Sequence, residues 1–236
     1  MAAPTDSWTE FEGPIGPLYV AWGPDGVTEV EPAGDPGGFE LLVSARLGRE
    51  VCWVDAMPDA LAGALLRAIR GETAAGPTLD LGGRTPYEAA VLRATMSIPF
   101  GEVRPYAWVA REAGRPRAVR AVGSIMAGNA LPYVIPCHRV VRADGHIGQY
   151  GPGGPAAKRA LLRAEGLDPD ALDALADAGI RYQGDPIAGV FCYPTCHVVR
   201  MLAEADGLWL RSGEAALRAG FGPCAACRPM IGSPFT

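Results

Sequence analysis

The sequence predicts an α+β protein made of three units, and three observations support this prediction. Short strand-like runs and one helical stretch occupy residues 1–82, which we expect to form a small N-terminal α/β unit. Residues 83–168 hold short helices around a glycine turn, which indicates a helical middle unit. Residues 169–236 contain four of the six cysteines in two close pairs, which indicates a small C-terminal unit centred on them.

Within the N-terminal unit, the sequence predicts a hairpin and then a helix. Residues 16–22 and 27–30 are apolar runs on either side of Gly-Pro-Asp-Gly, a turn-forming tetrapeptide. Over residues 58–70, leucines and an isoleucine recur at helical spacing. Cys52 lies in the apolar run Val-Cys-Trp-Val, so we expect it to be buried as a small hydrophobic residue.

The middle unit opens with a helix-start signal. Thr85-Pro-Tyr-Glu88 supplies an N-cap residue, a first-turn proline and an acid three residues after the cap, so a helix should run to about Met96. Further helices are predicted over 105–114, which ends at a glycine, and over 115–128. This pair forms a helix-turn-helix pattern whose second helix starts with arginines at 115, 117 and 120. The pattern alone is weak, because helix pairs pack in cores more often than they bind DNA.

The net charge of −5 masks an uneven distribution along the chain. Residues 1–89 carry five arginines against fourteen acidic residues, residues 90–165 carry eleven basic against four acidic residues, and residues 166–236 carry five against eight. A basic segment between acidic flanks favours one surface for a polyanion, although solvated helix faces explain the same pattern. No apolar run approaches the ~20 residues of a membrane span, and no basic, apolar signal segment is present, so we expect a cytoplasmic protein without a membrane partner.

The stretch Val134–Val141 (VIPCHRVV) places a cysteine, a histidine and an arginine between apolar pairs. A cysteine reacts as its thiolate, so Cys137 would need a neighbour that takes its proton. His138 is adjacent, but adjacent residues of a strand point to opposite faces, so the pair needs an irregular backbone at Pro136 or a bridging water. Glu165 is a candidate to orient the imidazole. The alternative is that Cys137 and His138 are core residues whose hydrogen bonds are made within the protein. Taken alone, the stretch favours this alternative.

The surrounding sequence changes this balance. Pro136-Cys-His-Arg-Val140 resembles the active-site signature of the DNA alkyltransferases that repair guanine alkylated at its O6 oxygen. The resemblance runs from about residue 85 to residue 167 through further elements in order: Pro99-Phe-Gly-Glu-Val103, Tyr106, Arg117-Ala-Val-Arg-Ala-Val-Gly123, Gly128-Asn129, Gly148-Gln-Tyr150, Lys158 and Leu161-Leu-Arg-Ala-Glu-Gly166. It implies a ribonuclease H-like N-terminal domain over residues 1–82 and a catalytic, DNA-binding domain over residues 83–168.

The resemblance implies a chemical role for each of five residues. Cys137 would take the alkyl group and keep it, so that each molecule acts once. His138 would deprotonate Cys137 through a water, with Glu165 orienting the imidazole. Tyr106 would protonate the leaving guanine at N3, because a neutral base leaves far more easily than an anion. Asn129 would brace the active-site backbone.

The resemblance also implies contacts with double-stranded DNA that carries an alkylated guanine, or an O4-alkylated thymine. The target base must be flipped out of the duplex, and Arg120 matches the residue that fills the vacated stack while its helix enters the minor groove. The Val140 carbonyl would accept a hydrogen bond from the guanine amino group. Tyr150, Arg117 and Arg139 complete the expected DNA contacts. We expect the protein to act as a monomer.

The alkyl pocket departs from the family pattern after Tyr150. The family commonly has seven residue steps from this tyrosine to the lysine, whereas Tyr150 and Lys158 are eight steps apart through a loop of glycine, proline and alanine. Gly151 stands where many members carry serine or arginine, so a side-chain contact to the substrate oxygen is lost. Our hypothesis is that this loop admits alkyl groups larger than methyl.

Cys192, Cys196, Cys224 and Cys227 form two close pairs separated by 27 residues. Four thiolates on two turns suit tetrahedral zinc, and in an intracellular chain a metal is favoured over disulfides. The surrounding residues resemble the metal-binding domain of the Ada adaptive-response protein. This implies one Zn²⁺, and Cys192 as a candidate second methyl acceptor from DNA methylphosphotriesters. Because Asp185-Pro-Ile-Ala188 replaces the threonines of relatives, a purely structural zinc site is an open alternative.

Two other classes of function compete with alkyl transfer. A DNA-binding sensor or regulator of alkylation damage would recognise the base without repairing it, but such a protein has no need of Cys137 or of a proton relay. A cysteine hydrolase would use Cys137 and His138 on acyl groups. The sequence shows no evident oxyanion hole for such a reaction, and a hydrolase has no use for Arg120.

Overall fold

The computed structural model of the chain describes residues 6–72, 76–200, 202 and 207–232, which form a mixed α+β fold. The N-terminal sheet has the strand order β3-β2-β1-β4. Its strands are β1 (Asp6–Gly13), β2 (Gly16–Gly23), β3 (Gly26–Pro32) and β4 (Val51–Trp53), and helix α1 (Pro36–Leu47) connects β3 to β4. The first three strands pair antiparallel, while β4 runs parallel to β1. Aromatic residues Trp8, Tyr19 and Phe39 pack between the sheet and α1.

The predicted hairpin is confirmed as the antiparallel pair β2 and β3. Gly26 opens β3 with a φ of +128°, a backbone conformation that glycine adopts without strain. The prediction that Cys52 is buried is wrong, because this residue is exposed. Side chains of a strand alternate between its two faces, and in β4 it is Val51 that packs in the core.

Helices and two short strands make up the middle of the chain. They are α2 (Asp59–Ile69), α3 (Pro86–Met96), β5 (Arg104–Pro105), α4 (Tyr106–Glu112), α5 (Val119–Ala127), β6 (Val140–Val141), α6 (Gly154–Ala164) and α7 (Pro169–Asp177). The predicted start of α3 is confirmed: the Thr85 hydroxyl accepts from Glu88 N, and the Glu88 carboxylate accepts from Thr85 N. Strand β5 pairs parallel with β6, which brings the start of α4 beside the VIPCHRVV segment.

The second helix of the predicted helix pair is shorter than the sequence indicates. Sequence reasoning places Arg115 and Arg117 in its first turn, whereas α5 begins only at Val119. The two arginines lie in the turn between α4 and α5. Proline disfavours the α conformation of the residue before it, so Pro116 keeps Arg115 out of the helix. Gly114, with a φ of +82°, ends the preceding helix as predicted.

The C-terminal part forms a second small sheet, with the strand order β10-β8-β7-β9. Its elements are β7 (Tyr182–Asp185), β8 (Val190–Cys192), α8 (His197–Arg200), β9 (Leu208–Leu210), α9 (Gly213–Arg218) and β10 (Gly222–Pro223). One apolar core cluster extends from the N-terminal sheet, through α3 to α5, to the four C-terminal cysteines. The predicted units therefore share a core. Within the described ranges, no helix is long and apolar enough to cross a membrane.

Candidate active site and metal centre

Cys137 opens a 3-10 helical turn, residues 137–139, which follows Pro136. The irregular backbone expected at Pro136 is thus confirmed. Cys137 is only 5% exposed and packs in the main core cluster. Asn129 donates from Nδ2 to the Ile135 carbonyl at 3.1 Å and to Cys137 Sγ at 3.2 Å. One side-chain amide therefore holds both the backbone before the cysteine and the sulfur itself.

The environment of Cys137 keeps its sulfur protonated at rest. Burial raises the pKa of the Cys137 thiol, while the hydrogen bond from Asn129 and the charge of Lys158 act to lower it. Burial is the largest of these effects, so the pKa lies above its ordinary value and the thiol predominates at neutral pH. Such a thiol becomes a nucleophile only when a base removes its proton.

His138, the next residue, directs one ring nitrogen at Glu165. Its Nε2 lies 2.7 Å from Glu165 Oε1, and its Nδ1 is buried with no hydrogen-bond partner among the described residues. Burial lowers the pKa of His138 and outweighs the neighbouring carboxylate, so the ring is neutral at pH 7. We assign the Nε2–H tautomer from this network, because an ionised carboxylate only accepts hydrogen bonds. The Nδ1 lone pair is then free to take a proton.

Glu165 carries the negative charge of the site. Arg139 donates to its two oxygens from Nε at 3.0 Å and from Nη2 at 2.9 Å. Gly101 N donates to Oε2 at 3.0 Å. Burial acts to raise the pKa of Glu165, but the hydrogen bonds from His138 and Arg139 and the charge of Arg139 outweigh it and lower the pKa to about 2. The carboxylate therefore stays ionised while it holds the imidazole.

The structure contradicts the expectation that Arg139 contacts DNA. Arg139 is 5% exposed, and its guanidinium is used by Glu165, by the Ile98 carbonyl at 2.8 Å and by the face of the Phe100 ring. A buried carboxylate requires a paired cation, and Arg139 supplies it. Sequence reasoning missed this role because the motif does not tell an arginine that faces the core from one that faces solvent.

Tyr106, at the start of α4, and Arg120 on α5 line a common cavity of about 460 Å³ that residues 142–144 also line. Tyr106 is the first residue of α4 and is half-buried. Burial raises the pKa of the Tyr106 hydroxyl, and a charge on Cys137 raises it further, so the phenol keeps its proton at neutral pH. Arg120 on α5 and Arg117 in the preceding turn are both exposed. The cavity thus combines a proton donor with an outward-facing cation.

Lys158, the single lysine of the chain, is a site residue that sequence reasoning left without a role. It is buried on α6, and its Nζ donates to the Val140 carbonyl and, at 3.4 Å, to the Gln149 carbonyl. Burial lowers the pKa of Lys158 to about 8. Its signal in the sequence is its rarity, because the chain has one lysine among twenty arginines.

The expected wall of the alkyl pocket lies around Tyr150. The Val140 carbonyl already accepts from a lysine, and its second lone pair can accept another donor. The Tyr150 ring stands edge-on to the His138 ring at a centroid distance of 6.3 Å. Gly151 is exposed, and a Cβ at this position would lie 3.9 Å from the Ala127 carbonyl oxygen, an ordinary contact. Space alone therefore does not require glycine at Gly151.

The four C-terminal cysteines converge on one point. The sulfur atoms of Cys192, Cys196, Cys224 and Cys227 lie within 4.8 Å of one another, and all four residues are buried. This sulfur set matches the tetrahedral coordination of zinc, so the chain carries one four-cysteine zinc site. Cys192 is 0% exposed. A DNA phosphate has no access to a sulfur buried in this way, which favours the structural alternative over methyl acceptance at Cys192.

Two family models match the chain in the order that the motifs predict. Residues 86–167 match 6-O-methylguanine DNA methyltransferase, DNA binding domain, and residues 174–230 match the metal binding domain of Ada. The methylated-DNA–protein-cysteine methyltransferase of Methanothermobacter thermautotrophicus is 33% identical over 165 residues, which are 65% of this chain and 82% of the relative. The chain belongs to the methylated-DNA–protein-cysteine methyltransferase family.

Solved structures show the same relationship. The crystal structure of Mycobacterium tuberculosis OGT in complex with DNA is 31% identical, with a TM-score of 0.54 over 68% of this chain and 93% of that chain. The O6-methylguanine-DNA methyltransferase of Pyrococcus kodakaraensis is 25% identical, with a TM-score of 0.52 over 69% of this chain and 100% of that chain. The mouse methyltransferase is 53% identical over 30% of this chain, and the match spans 33% of the mouse protein's length.

Glu165→Gln should destabilise the protein, because it leaves the buried Arg139 guanidinium without a counter-charge. We expect a loss of about 3 kcal/mol in the free energy of unfolding at pH 7, measured by urea denaturation. The pKa of Glu165 in the folded protein is about 2, below its ordinary 4.5, so the unfolded chain binds more protons in acid. The difference between wild type and variant should therefore shrink as the pH falls from about 4.5 to about 2.

Glu50→Gln is the matched control, because it changes an exposed carboxylate on the same chain. It should alter the free energy of unfolding by less than about 0.5 kcal/mol at every pH. Equal losses in the two variants would contradict the assignment of the ion pair, and so would a difference for Glu165→Gln that does not depend on pH.

Proposed function

We propose that the protein repairs DNA by moving the alkyl group from the O6 oxygen of guanine to Cys137, once per molecule, with O4-alkylthymine as a further substrate. The observation that carries this proposal is the environment of the Cys137 thiol. Asn129 holds the buried sulfur, and the adjacent His138 is neutral, anchored on Glu165, and has an unused Nδ1 lone pair. These groups can form a thiolate at the moment of reaction, which displacement at an alkyl carbon requires.

In the proposed reaction, the thiol proton passes through one water to His138 Nδ1. The Cys137 sulfur then attacks the alkyl carbon in line, so that the S–C bond forms as the C–O6 bond breaks. Tyr106 protonates guanine N3, which lets the base leave as a neutral molecule, and the proton on His138 returns to the tyrosinate through solvent. The net change is one alkyl group on sulfur and one proton on the base. The thioether is stable, so the thiol is not regenerated.

A base inside a duplex does not reach a buried sulfur, so the proposal requires base flipping. In it, α4 and α5 act as a helix-turn-helix pair whose second helix enters the minor groove of double-stranded DNA. Arg120 takes the place of the flipped base, and Arg117 contacts phosphate. The exposure of both arginines and the cavity that Arg120 shares with Tyr106 support this arrangement. Val140 and Tyr150 would contact the flipped guanine.

The proposed organisation follows the three predicted parts. Residues 1–82 form a ribonuclease H-like N-terminal domain, residues 83–168 the catalytic and DNA-binding domain, and residues 169–236 the zinc module. The outer limits, residues 1–5 and 233–236, lie outside the described residues. We propose a cytoplasmic monomer, because one chain supplies every side chain that the proposed reaction uses.

Incubation of the reduced, zinc-loaded protein with a duplex that contains O6-methylguanine should add one methyl group to the Cys137 peptide, detected by mass spectrometry. Cys137→Ser should bind the duplex and accept no methyl group, because a serine hydroxyl is much less acidic than a thiol. Cys52→Ser, which changes an exposed cysteine, is the matched control and should react like wild type. Binding without transfer by folded wild-type protein would identify a damage sensor instead.

Tyr106→Phe should slow the transfer step while leaving duplex affinity nearly unchanged, because it removes the proton donor and keeps the ring. We expect the rate constant at saturating DNA to fall by about a hundredfold, measured by rapid quench. Tyr87→Phe is the control, since the Tyr87 hydroxyl has no hydrogen-bond partner among the described residues. An unchanged rate for Tyr106→Phe would assign the protonation of guanine to another group.

Gly151→Ser should narrow the range of alkyl groups. We expect wild type to react at comparable rates with duplexes that carry O6-methylguanine and O6-benzylguanine. The serine side chain has room in the folded protein, and it should slow benzyl transfer by about tenfold while methyl transfer is kept. Pro152→Ala changes the same loop without adding bulk and should keep both reactions. If wild type reacts with the O6-methylguanine duplex and not with the O6-benzylguanine duplex, the hypothesis of a wider alkyl pocket is contradicted.

A further inference from the structure

The first cysteine turn of the zinc module docks on segment 98–104, which lies between α3 and α4 and ends at the first residue of β5. Val103 N donates to Thr195 Oγ1 at 2.9 Å. The Glu102 carboxylate accepts from His197 N at 3.0 Å, and the same oxygen lies 2.8 Å from His197 Nδ1. Both of these module residues flank a zinc ligand in sequence. The position of segment 98–104 is therefore tied to the conformation of the metal-binding turn.

The second cysteine turn docks on α4, the helix that begins at Tyr106. Trp108 Nε1 donates to the Cys227 carbonyl at 2.9 Å, so the backbone of one zinc ligand holds the helix directly. Arg228 and Glu112 add an ion pair at 2.8 Å between the turn and the end of α4. The two cysteine turns therefore hold two consecutive parts of the catalytic region.

Segment 98–104 also holds the active-site ion pair. Arg139 donates from Nη1 to the Ile98 carbonyl at 2.8 Å. Gly101 N donates to Glu165 Oε2 at 3.0 Å, while the Gly101 carbonyl accepts from Arg200 of the zinc module at 3.3 Å. A single residue, Gly101, thus contacts the carboxylate that anchors the catalytic histidine and a side chain of the module.

The interface between the module and the catalytic region is buried as deeply as the core. Glu102 and Arg104 are 1% and 2% exposed, and they pair with each other. The Arg104 guanidinium also lies over the rings of Trp108 and Tyr193, at 5.8 Å and 5.3 Å from their centroids. A buried ion pair is favourable only where its surroundings supply further contacts and exclude water. Movement of the module to present Cys192 to a DNA phosphate would expose this pair.

We propose that the zinc module is a positioning element for the Cys137 reaction and that Cys192 acts only as a ligand. The inference rests on the proposed alkyl transfer. Zinc bound by the four cysteines would hold both turns in one geometry, and the turns hold segment 98–104 and α4. Segment 98–104 contacts Glu165, which orients His138, the general base. Helix α4 carries Tyr106, the general acid. Glu102 is the positioning residue that joins the first turn to the catalytic region.

Thr195→Val and His197→Ala each remove a contact with segment 98–104 and keep all four cysteines. Both variants should retain one zinc per chain, measured by elemental analysis, and should bind duplex DNA like wild type. The rate constant for methyl transfer to Cys137 at saturating DNA should fall about tenfold, because His138 and Tyr106 are no longer held in position. Amide hydrogen exchange at Gly101 should become faster, while exchange in strand β1 should not change.

Thr195→Ser keeps the hydroxyl and should restore both the transfer rate and the Gly101 exchange, while Arg218→Ala changes an exposed side chain of the module and is the matched control. Chelation of zinc from wild type should also speed Gly101 exchange. The proposal is overturned if Thr195→Val, His197→Ala and chelation all leave this exchange unchanged. A methyl group on the Cys192 peptide after incubation of zinc-loaded wild type with methylphosphotriester DNA overturns it too. The exchange measurement needs no activity, so it separates this inference from the proposed function.

Discussion

The buried ion pair between Arg139 and Glu165 is the interaction on which the rest of the site depends. It keeps a carboxylate ionised inside the core, and this carboxylate determines the tautomer and the orientation of His138. In the proposed reaction, a neutral His138 with a free Nδ1 is in turn what allows the buried Cys137 to lose its proton. Either charge without the other would be uncompensated in a region that excludes water, so the nucleophile, the base and the local fold depend on one another.

The same burial fits the proposed reaction, in which each molecule acts once. Because burial raises the pKa of Cys137, the resting sulfur is a thiol and reacts slowly with chance electrophiles and oxidants. In the proposed reaction, the thiolate forms only when the proton relay through His138 operates, and transfer is completed only when Tyr106 protonates the leaving base. The apolar core that surrounds Cys137 also includes the four cysteines of the zinc module, and the Trp108 indole donates a hydrogen bond to the backbone carbonyl of Cys227. Under the proposed single-turnover mechanism, each stray reaction that is avoided preserves one molecule for repair.

Structural features that depend on residues close together in sequence were predictable from the sequence. The start of α3 follows from Thr85 and Glu88, and the hairpin of β2 and β3 follows from its turn residues. Two of the wrong predictions, those for Cys52 and Arg139, concern the direction in which a side chain faces. Cys52 lies on the exposed side of a short strand, and Arg139 faces the core in a motif rich in polar residues. Direction is set by what packs against an element, and that partner lies elsewhere in the chain.

By itself, the sequence determined the chemistry available to the protein: a cysteine beside a histidine, a tyrosine that can donate a proton, and four thiolates for one zinc. These depend on residue type and spacing. Only the tertiary structure decided that Arg139 serves Glu165, that Lys158 holds the Val140 carbonyl, and that the zinc module packs on the catalytic core. The residues in these contacts are far apart in sequence: Lys158 and Val140 are separated by 18 positions, and Trp108 and Cys227 by 119. Pairs so distant leave no local pattern, because the chain brings them together only when it folds.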